Sequence, residues 1–552
     1  MTRIYSLLFI FCTTFSMQSQ LLTGENKQFS RADTLRGSLR PERTSFDVLS
    51  YNLDIQLDPK ERFLSGFNEI EFRVLEKTSK IQLDLFQNMK IDSIVFNETN
   101  LTYERDEHAV FINFETPLKA GTTESLTFYY SGYPVVAKNA PWDGGFVFSE
   151  DKQGKPFIAV AVQGTGASLW YPNKDHQSDE PDSADIKVSV PNGLMNVSNG
   201  RLIEEIPLDN AYTKWHWRVE HPINNYNITL NIADYAHFED EYRGLSLNYY
   251  VLKENLEKAK EQFQQVKPMM DCFYEKFGEY PFQKDGYKLV ETPYLGMEHQ
   301  SAVAYGNNYL NGYLGKDMSN TGIGLKWDFI IIHESAHEWF GNSVSAADIA
   351  DMWIHESFTA YAESVYVECE YGKKDAVQYL YGLRRIISND KPIIGKYGLN
   401  HEGSGDMYYK GANMLNTLRS VINNDEKWWK LLKEFHETFK YQTIHADDVI
   451  DFYNQNTNFD LKPIFNQYLN YADIPELQLK FNDKGQVHMR WKTDVKNFKM
   501  PIEFQNSTEK IIKRQVVGND WESIDLEIND IDELAINRYG FYIDITKIDE
   551  SN

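Results

Sequence analysis

Short segments in which apolar and polar residues alternate dominate the first part of the chain. Residues 51–57 alternate with a period of two, and residues 67–74 repeat the pattern. Such alternation is typical of β-strands that bury one face. Similar segments, separated by Gly, Pro and Asn, continue to about residue 236. The pattern predicts an all-β domain over residues 45–240, preceded by a polar, irregular lead over residues 20–44.

After residue 251 the spacing of the apolar residues changes to steps of three and four. Such steps predict a helical stripe, and it consists of Leu252, Leu256, Ala259, Phe263, Val266, Met270, Phe273 and Phe277. Pro268 lies inside this stripe and is predicted to kink the helix. Helical patterns continue to about residue 469 and include a predicted core helix over residues 426–439. We therefore predict a mainly helical domain over residues 241–472.

The period of two returns at Pro475, where Leu477 and Leu479 alternate with polar residues. Residues 473–552 are therefore predicted to form a small β-sandwich. The expected fold is multidomain, with an N-terminal all-β domain, a mainly helical domain and a small C-terminal β-sandwich.

The first 19 residues have the features of a signal peptide. Arg3 supplies a positive start, residues 4–15 are mostly apolar, and cleavage is expected after Ser19. The apolar stretch is too short to span a bilayer, although a short membrane anchor is the alternative. We expect an exported protein, periplasmic or extracellular, with no stable membrane insertion after cleavage.

Composition narrows the classes of function. The chain has 552 residues, enough for two to four domains, and 42% of them are hydrophobic, as in packed globular proteins. The net charge of −25 argues against nucleic acids and anionic membranes as partners. Removal of the signal peptide leaves Cys272 and Cys369, and the sequence does not decide whether they form a disulfide. It does not indicate the oligomeric state either.

The motif His-Glu-x-x-His carries the clearest chemistry. His333 and His337 are four residues apart and so lie on one face of a helix, where they supply two of the three protein ligands of a catalytic zinc ion. Glu334 lies beside them and can accept a proton from the attacking water. Glu356, with 18 residues between it and His337, is the candidate third ligand. We predict one Zn²⁺ per chain.

Two helices are predicted to carry these groups. The first begins in the apolar residues 329–332 and ends at a C-cap near Gly341. The second carries Glu356, with Glu363 on the same face, and ends near Gly372.

These segments resemble the gluzincin aminopeptidases, the family of aminopeptidase N and leukotriene hydrolase. Residues 337–342 are similar to the family's H-x-W-F-G-N, and residues 353–358 to its W-L-N-E-G-F, with His355 and Ser357 in place of Asn and Gly. The resemblance implies a thermolysin-like catalytic domain. It also implies zinc-dependent removal of N-terminal residues from peptides with a free N-terminus.

The resemblance also implies residues that bind the substrate. Gly296, Met297 and Glu298 lie in a segment similar to the family's G-x-M-E-N, with Leu295 and His299 replacing the outer Gly and Asn. In that family the Glu holds the α-amine of the substrate, a role that would fall on Glu298. Gly296 and Met297 would lie beside the bound peptide.

Two further residues follow from the resemblance. Residues 408–411, Tyr-Tyr-Lys-Gly, are similar to the family's Y-x-K-G, which places the catalytic phenol at Tyr408 rather than Tyr409. A Tyr hydroxyl can donate to the oxyanion of a tetrahedral intermediate. Gln163 in the β-domain occupies the position of a family Gln or Glu that contacts the N-terminal end of the substrate.

Two other functions agree with the same fold. One is a non-catalytic peptide-binding or interaction protein, but such a relative would be expected to lose ligands or the base, which this chain retains. The other is a peptidase with added epoxide hydrolase activity, as in the leukotriene hydrolase branch.

Overall fold

The computed structural model describes residues 29–481, 487–505, 511–524 and 535–548. The predicted signal peptide lies outside this part of the chain. The described residues form an N-terminal β-rich region, a mainly helical region with its own sheet, and C-terminal strands in two sheets. The predicted fold class is therefore confirmed.

The end of the predicted irregular lead is helical. Helix α1 spans Arg31–Gly37 and α2 spans Pro41–Thr44. Ser30 caps α1 in a capping box, because its hydroxyl accepts from the Asp33 amide while the Asp33 carboxylate accepts from the Ser30 amide. The expectation of irregular structure is wrong here, because this local capping favours helix over a polar coil.

The N-terminal β-domain consists of fifteen strands among the described residues. Eight of them form one sheet in the order β13-β14-β11-β1-β2-β8-β4-β5, and two smaller sheets have the orders β12-β15-β10-β9 and β3-β7-β6. The strands are β1 (Phe46–Asp58), β2 (Phe63–Val74), β3 (Thr78–Asp84), β4 (Met89–Phe96), β5 (Thr99–Asn100), β6 (Thr102–Asp106), β7 (Ala109–Leu118), β8 (Thr123–Gly132), β9 (Gly145–Glu150), β10 (Pro156–Ala161), β11 (Ser183–Pro191), β12 (Met195–Val197), β13 (Arg201–Pro207), β14 (Tyr212–Val219) and β15 (Asn231–Ala233).

Strand β1 lies inside the large sheet and explains the alternation in the sequence. It pairs antiparallel with β2 and parallel with β11. A bulge between Val48 and Ser50 shifts its register, so the buried positions change from Phe46 and Val48 to Tyr51 and every second residue after it. One face of the strand thus stays in the core along its whole length.

The mainly helical region, named the catalytic region here after the prediction for residues 241–472, has a five-stranded sheet, a short strand pair and nine α-helices among the described residues. The sheet has the order β16-β17-β18-β20-β19, and β21 pairs with β22. The strands are β16 (Tyr235–Tyr242), β17 (Leu245–Leu252), β18 (Tyr287–Glu291), β19 (Gly296–Met297), β20 (Val303–Tyr305), β21 (Val344–Ala346) and β22 (Gln442–Ile444). The helices are α3 (Leu256–Gln262), α4 (Val266–Phe277), α5 (Phe329–Ala336), α6 (Trp353–Tyr371), α7 (Lys373–Leu383), α8 (Tyr409–Ile422), α9 (Asp425–Phe439), α10 (Ala446–Gln455) and α11 (Lys462–Asn470).

The predicted helical stripe forms two helices rather than one kinked helix. A 3₁₀ turn over Phe263–Gln265 separates α3 from α4, and Pro268 lies in the first turn of α4. Proline is tolerated in that turn because the amide at this position has no intrahelical acceptor. Helix α9 confirms the helix predicted over residues 426–439.

The catalytic sheet packs on both sides. Tyr250 and Leu252 of β17 lie in the core of the β-domain, whereas Tyr249 and Val251 of the same strand lie in the core beneath the helices. Successive side chains of a strand point to opposite faces of the sheet, so this one strand packs in the cores of both domains. Its last strand, β19, lies at the edge beside α5.

Cys272 and Cys369 form a disulfide, which the sequence left undecided. Their Cα atoms are 6.0 Å apart, within the range of native disulfides, and they join α4 to α6 across 97 residues. Helix α6 carries the candidate third zinc ligand, so the bridge fixes this helix against its neighbour.

The C-terminal strands pack on the catalytic region. Arg514 donates to the carbonyl oxygens of Ser420 and Val421 at the end of α8. The two sheets have the orders β27-β24-β23-β29 and β26-β25-β28. The strands are β23 (Glu476–Phe481), β24 (Val487–Lys492), β25 (Met500–Gln505), β26 (Ile511–Val517), β27 (Glu522–Ile524), β28 (Ala535–Ile536) and β29 (Asp544–Lys547). Across the described part of the chain, no helix has the length and apolar character to cross a membrane.

Candidate active site

Helix α5 places the first two candidate ligands. Asp328 caps it by accepting from the amides of Ile330 and Ile331, and its apolar first turn is buried. The helix ends at Ala336, with His337 at the C-cap, one turn earlier than the predicted end at Gly341. His333 and His337 therefore still project from one face, but His337 stands at the helix terminus.

The three predicted ligands meet in one buried cluster. Glu356 Oε2 lies 3.7 Å from His333 Nε2 and 3.5 Å from His337 Nε2. Donor atoms about 2.0–2.2 Å from a tetrahedral zinc ion lie about 3.3–3.6 Å apart. Glu356 Oε2 is buried and has no hydrogen-bond partner among the described residues, as expected for an oxygen reserved for a cation. One distance lies within this range and the other about 0.1 Å above it, so the donor set and its spacing fit zinc.

Hydrogen bonds at the Nδ1 atoms orient both imidazoles. His333 Nδ1 lies 2.7 Å from Glu363 Oε1, and Tyr379 donates to the other oxygen of that carboxylate at 2.7 Å. His337 Nδ1 donates to the Phe340 carbonyl at 3.0 Å. These acceptors hold the proton on Nδ1, which leaves the Nε2 lone pairs directed at the cluster. The sequence placed Glu363 on the ligand face of α6, and that periodicity could have identified it.

Glu334 lies beside the ligands and is itself buried. A Cβ atom at residue 296 would lie 2.8 Å from Glu334 Oε1, so only glycine at Gly296 lets this carboxylate approach the edge strand β19. Burial raises the pKa of Glu334 to about 7, against the lowering effect of His333 and His337. A carboxylate with that pKa is suited to general acid–base work.

A second set of donors, Glu298, Glu334 and His337, also lies close enough to hold a cation. We assign the metal to the set with Glu356, because Glu356 Oε2 is buried and has no hydrogen-bond partner among the described residues. Glu298 Oε1 already accepts from Tyr226 and Gln163. This oxygen is therefore already engaged by two donors, in contrast to Glu356 Oε2.

Glu298 is buried at the meeting point of the β-domain and the catalytic domain. Gln163 Nε2 and the Tyr226 hydroxyl both donate to its Oε1, the latter at 3.1 Å. Burial raises the pKa of Glu298. The structure thus brings Gln163 and Glu298 into contact across 135 residues of sequence. The resemblance implies that both bind the N-terminal end of the substrate.

Tyr226 was not found from the sequence, and it connects two positions of the site. The hydroxyl of Tyr226 lies 3.4 Å from His355 Nδ1, while His355 Nε2 accepts from the Ala346 amide at 2.8 Å. Burial lowers the pKa of His355 to about 3, so the ring is neutral with its proton on Nδ1. His355 therefore donates to Tyr226, which donates to Glu298. No local motif marks Tyr226, because its role depends on contacts between domains.

Tyr408 faces the ligand cluster at the start of α8. Its ring lies 6.0 Å from the ring of His333, centroid to centroid, in a stacked arrangement. Burial raises its pKa well above the ordinary value, and the nearby carboxylate of Glu356 adds to this effect, so the phenol is a proton donor. Ser357, where the family has Gly, donates to the Met407 carbonyl at 2.6 Å and ties α6 to this segment.

The sequence matches two family profiles. The Peptidase family M1 domain matches residues 261–468, and the Peptidase M1 N-terminal domain matches residues 48–227. Together these ranges cover more than half of the chain. The chain belongs to peptidase family M1. The ligand cluster, Glu298 and Tyr408 all lie within the catalytic match, and Gln163 and Tyr226 lie within the N-terminal one.

The chain is also similar in sequence to known aminopeptidases. Aminopeptidase B of Mus musculus is 25% identical over 456 residues, which cover 74% of this chain and 66% of the relative. Leucyl aminopeptidase of Saccharolobus solfataricus is 21% identical over 503 residues, which cover 86% of this chain and 61% of the relative. The chain thus spans less than two thirds of the length of these relatives.

Solved structures share the fold. The M1 zinc metallopeptidase of Deinococcus radiodurans superposes with a TM-score of 0.64 at 19% identity, over 78% of this chain and 95% of that protein. A mutant of the same enzyme has been crystallised with a Tyr-Ser-Ala substrate at a TM-score of 0.64 and 18% identity. The likeness shows a common M1 architecture.

Proposed function

We propose that this M1 protein is an exported zinc-dependent aminopeptidase that removes the first residue from peptides with a free N-terminus. The observation that carries the proposal is the position of Glu298. This buried carboxylate lies within reach of Glu334 and His337, with a donor atom of each within 4.8 Å of the others. If Glu298 binds the ammonium group of the substrate, the first peptide bond is the one that lies beside Glu334, the proposed base. The enzyme would then remove a single N-terminal residue.

His333, His337 and Glu356 would hold the zinc ion. Bound zinc supplies Lewis-acid polarisation of the scissile carbonyl and makes water a better nucleophile near neutral pH. Glu334 accepts the proton of the attacking water and passes it to the leaving amine. Both proton transfers use the carboxylate of Glu334. The absence of a side chain at Gly296 lets this carboxylate lie close to strand β19.

The edge strand β19 offers a place for the peptide backbone. Gly296 and Met297 pair with β20 on one side and form the open edge of the sheet on the other. An extended peptide can add to such an edge through main-chain hydrogen bonds. Its amine would then lie at Glu298, the residue that follows Met297.

Export is supported by two observations. Residues 1–19 have the features of a signal peptide, and Cys272 and Cys369 form a disulfide. Disulfides persist mainly in oxidising compartments such as the periplasm and the outside of the cell.

Tyr408→Phe is expected to lower turnover by about 10²–10³, because one donor to the developing oxyanion is lost. Zinc content and substrate affinity should be retained. The matched control is Tyr409→Phe, whose ring packs 6.3 Å from that of Tyr408 but carries no predicted catalytic role. Steady-state kinetics of both variants on one aminoacyl substrate test the assignment. A larger loss of turnover with Tyr409→Phe would contradict it.

Glu298→Ala is expected to cripple cleavage of free-amine peptides while zinc content stays normal. Removal of one partner from a buried charge pair costs about 2–5 kcal/mol, roughly 30-fold to several thousand-fold in kcat/KM at about 1.4 kcal/mol per tenfold. Wild type should also ignore the same peptide once its N-terminus is acetylated, since acetylation removes the positive charge.

The measurement is a comparison of rates on one peptide, free and acetylated, with wild type and Glu298→Ala. If wild type cleaved both forms at equal rates, Glu298 would not be an amine anchor and the protein would be an endopeptidase. No cleavage of either form by the zinc-loaded wild type would favour a non-catalytic peptide-binding role.

A further inference from the structure

The cavity beside Gln163 has one wall that lies outside both regions matched by the M1 profiles. This wall belongs to residues 29–44, here named the strap segment, which precede the N-terminal match that begins at residue 48. The cavity has a volume of about 920 Å³, and its other walls come from the β-domain and the catalytic domain.

The strap segment is attached to both domains. In the β-domain, the buried guanidinium of Arg43 pairs with Asp84 at 2.5 Å. In the catalytic domain, the Asn400 amide donates to the Asp33 carbonyl at 3.0 Å. Gly37 packs closely on the neighbouring residue of the catalytic domain, Leu399. A Cβ atom at Gly37 would lie 2.2 Å from the carbonyl carbon of Leu399. The segment therefore has a fixed place between the domains.

Arg36 of the strap segment holds the loop that carries Gln163. Its Nη1 donates to the carbonyl oxygen of Gly164 at 2.8 Å and to that of Thr165. Hydrogen bonds from a charged donor are stronger than neutral ones and fix the direction of both carbonyl groups. The residue before this pair, Gln163, donates to Glu298. Arg36 thus acts on the amine anchor through one short loop.

The cavity adjoins the expected amine site through one lining residue, Gln163. Gln163 lines it and contacts Glu298, and Ala32, Leu35 and Asn400 lie among the other lining residues. The α-amine and the first side chain of a peptide share one carbon atom, so an ammonium at Glu298 brings that side chain to the mouth of the cavity. A volume of this size is typical of sites for whole ligands, and it accommodates a large side chain.

We propose that the strap segment completes the substrate site. It closes the cavity that receives a large first side chain of the peptide, and its Arg36 positions Gln163 against the amine anchor. This inference rests on the proposed aminopeptidase function and adds to it a substrate class, peptides with a bulky first residue.

The cavity is tested by filling it from the strap segment. Ala32→Trp is expected to reduce kcat/KM for phenylalanyl substrates by about tenfold or more and to affect alanyl substrates much less. The matched control is Thr34→Trp, which adds the same ring to an exposed position of the same helix that does not line the cavity. Equal effects of Ala32→Trp on both substrates, or of both variants on phenylalanyl substrates, would overturn the assignment of the cavity.

The positioning role is tested with Arg36→Ala. We expect KM to rise about tenfold with kcat and zinc content little changed, and no comparable effect of Arg31→Ala, which breaks an exposed ion pair of the same helix with Asp106. If Arg36 acts through Gln163, the double variant Arg36→Ala/Gln163→Ala should be no worse than Gln163→Ala alone. Additive losses, or equal effects of the two arginine variants, would refute the role.

Hydrogen exchange separates this inference from the proposed function. Arg36→Ala should speed exchange of the Thr165 and Gly166 amides, which donate to carbonyls within the loop, and Arg31→Ala should not. If wild type cleaved no peptide, the proposed function would fail, and unchanged exchange in Arg36→Ala would independently refute the positioning. Activity in wild type together with unchanged exchange would refute the positioning alone.

Discussion

Replacing His333 or His337 with alanine is expected to remove both the zinc ion and the peptidase activity. Each imidazole supplies one of three protein ligands, and a catalytic zinc site rarely holds its metal with two. His333→Ala also leaves the buried Glu363 carboxylate with Tyr379 as its remaining partner, so we expect a lower stability as well. Elemental analysis should show zinc falling from about one per chain to near zero.

The control for this prediction is a second buried histidine of the same domain. His436 lies in α9 and contacts the Ser343 hydroxyl at 3.1 Å, so His436→Ala removes a buried imidazole without touching the cluster. That variant should keep its zinc. Full activity of the metal-free wild type would contradict the zinc mechanism. If His337→Ala lost the metal and His333→Ala kept it, the alternative set with Glu298 and Glu334 would be the metal site.

The sequence predicted those parts of the site that depend on local spacing. His333 and His337 meet because four residues make about one helical turn, and Glu363 lies seven residues after Glu356 on the same helix. The edge position of Gly296 and Met297 was not read from periodicity, because a strand of two residues has no pattern. Their place came from the family resemblance alone.

Contacts between distant segments could not be predicted. Tyr226 reaches Glu298 from another domain, and the Cys272–Cys369 pair closes a loop across 97 residues. Neither contact leaves a periodic signal, since each depends on how the domains pack. The strap segment is an intermediate case. Its Ser30–Asp33 capping box and the Pro41 at a helix start were readable signals, but its polar composition favoured an irregular assignment.

Two of the four departures from the family motifs, His355 and Ser357, have structural reasons. His355 donates to Tyr226 and so takes part in the support of Glu298. Ser357 packs its hydroxyl against the Met407 carbonyl, next to Tyr408. Both changes lie beside the ligand Glu356, and both hold other parts of the site in place rather than the metal.

Glu334→Gln is expected to keep zinc and the fold but to lose about 10²–10⁴ in turnover. The amide has the shape of the carboxylate, so it fits the close approach to Gly296. It cannot accept a proton from the attacking water, and it cannot deliver one to the leaving amine. Both transfers fall on this one side chain, so the loss should appear in kcat rather than in KM. Steady-state kinetics together with zinc analysis measure both quantities on one preparation.

The control is Glu291→Gln, the same change at a buried carboxylate of the same domain. Glu291 accepts from Asn255 and Tyr309 rather than facing the ligand cluster, so turnover should stay close to that of wild type. Wild-type turnover of Glu334→Gln would mean that another group is the base. Loss of zinc from this variant would have a different meaning, because Glu334 belongs only to the alternative donor set with Glu298 and His337. Retention of zinc with loss of turnover is therefore the result expected if Glu334 is the base and the metal is held by the set with Glu356.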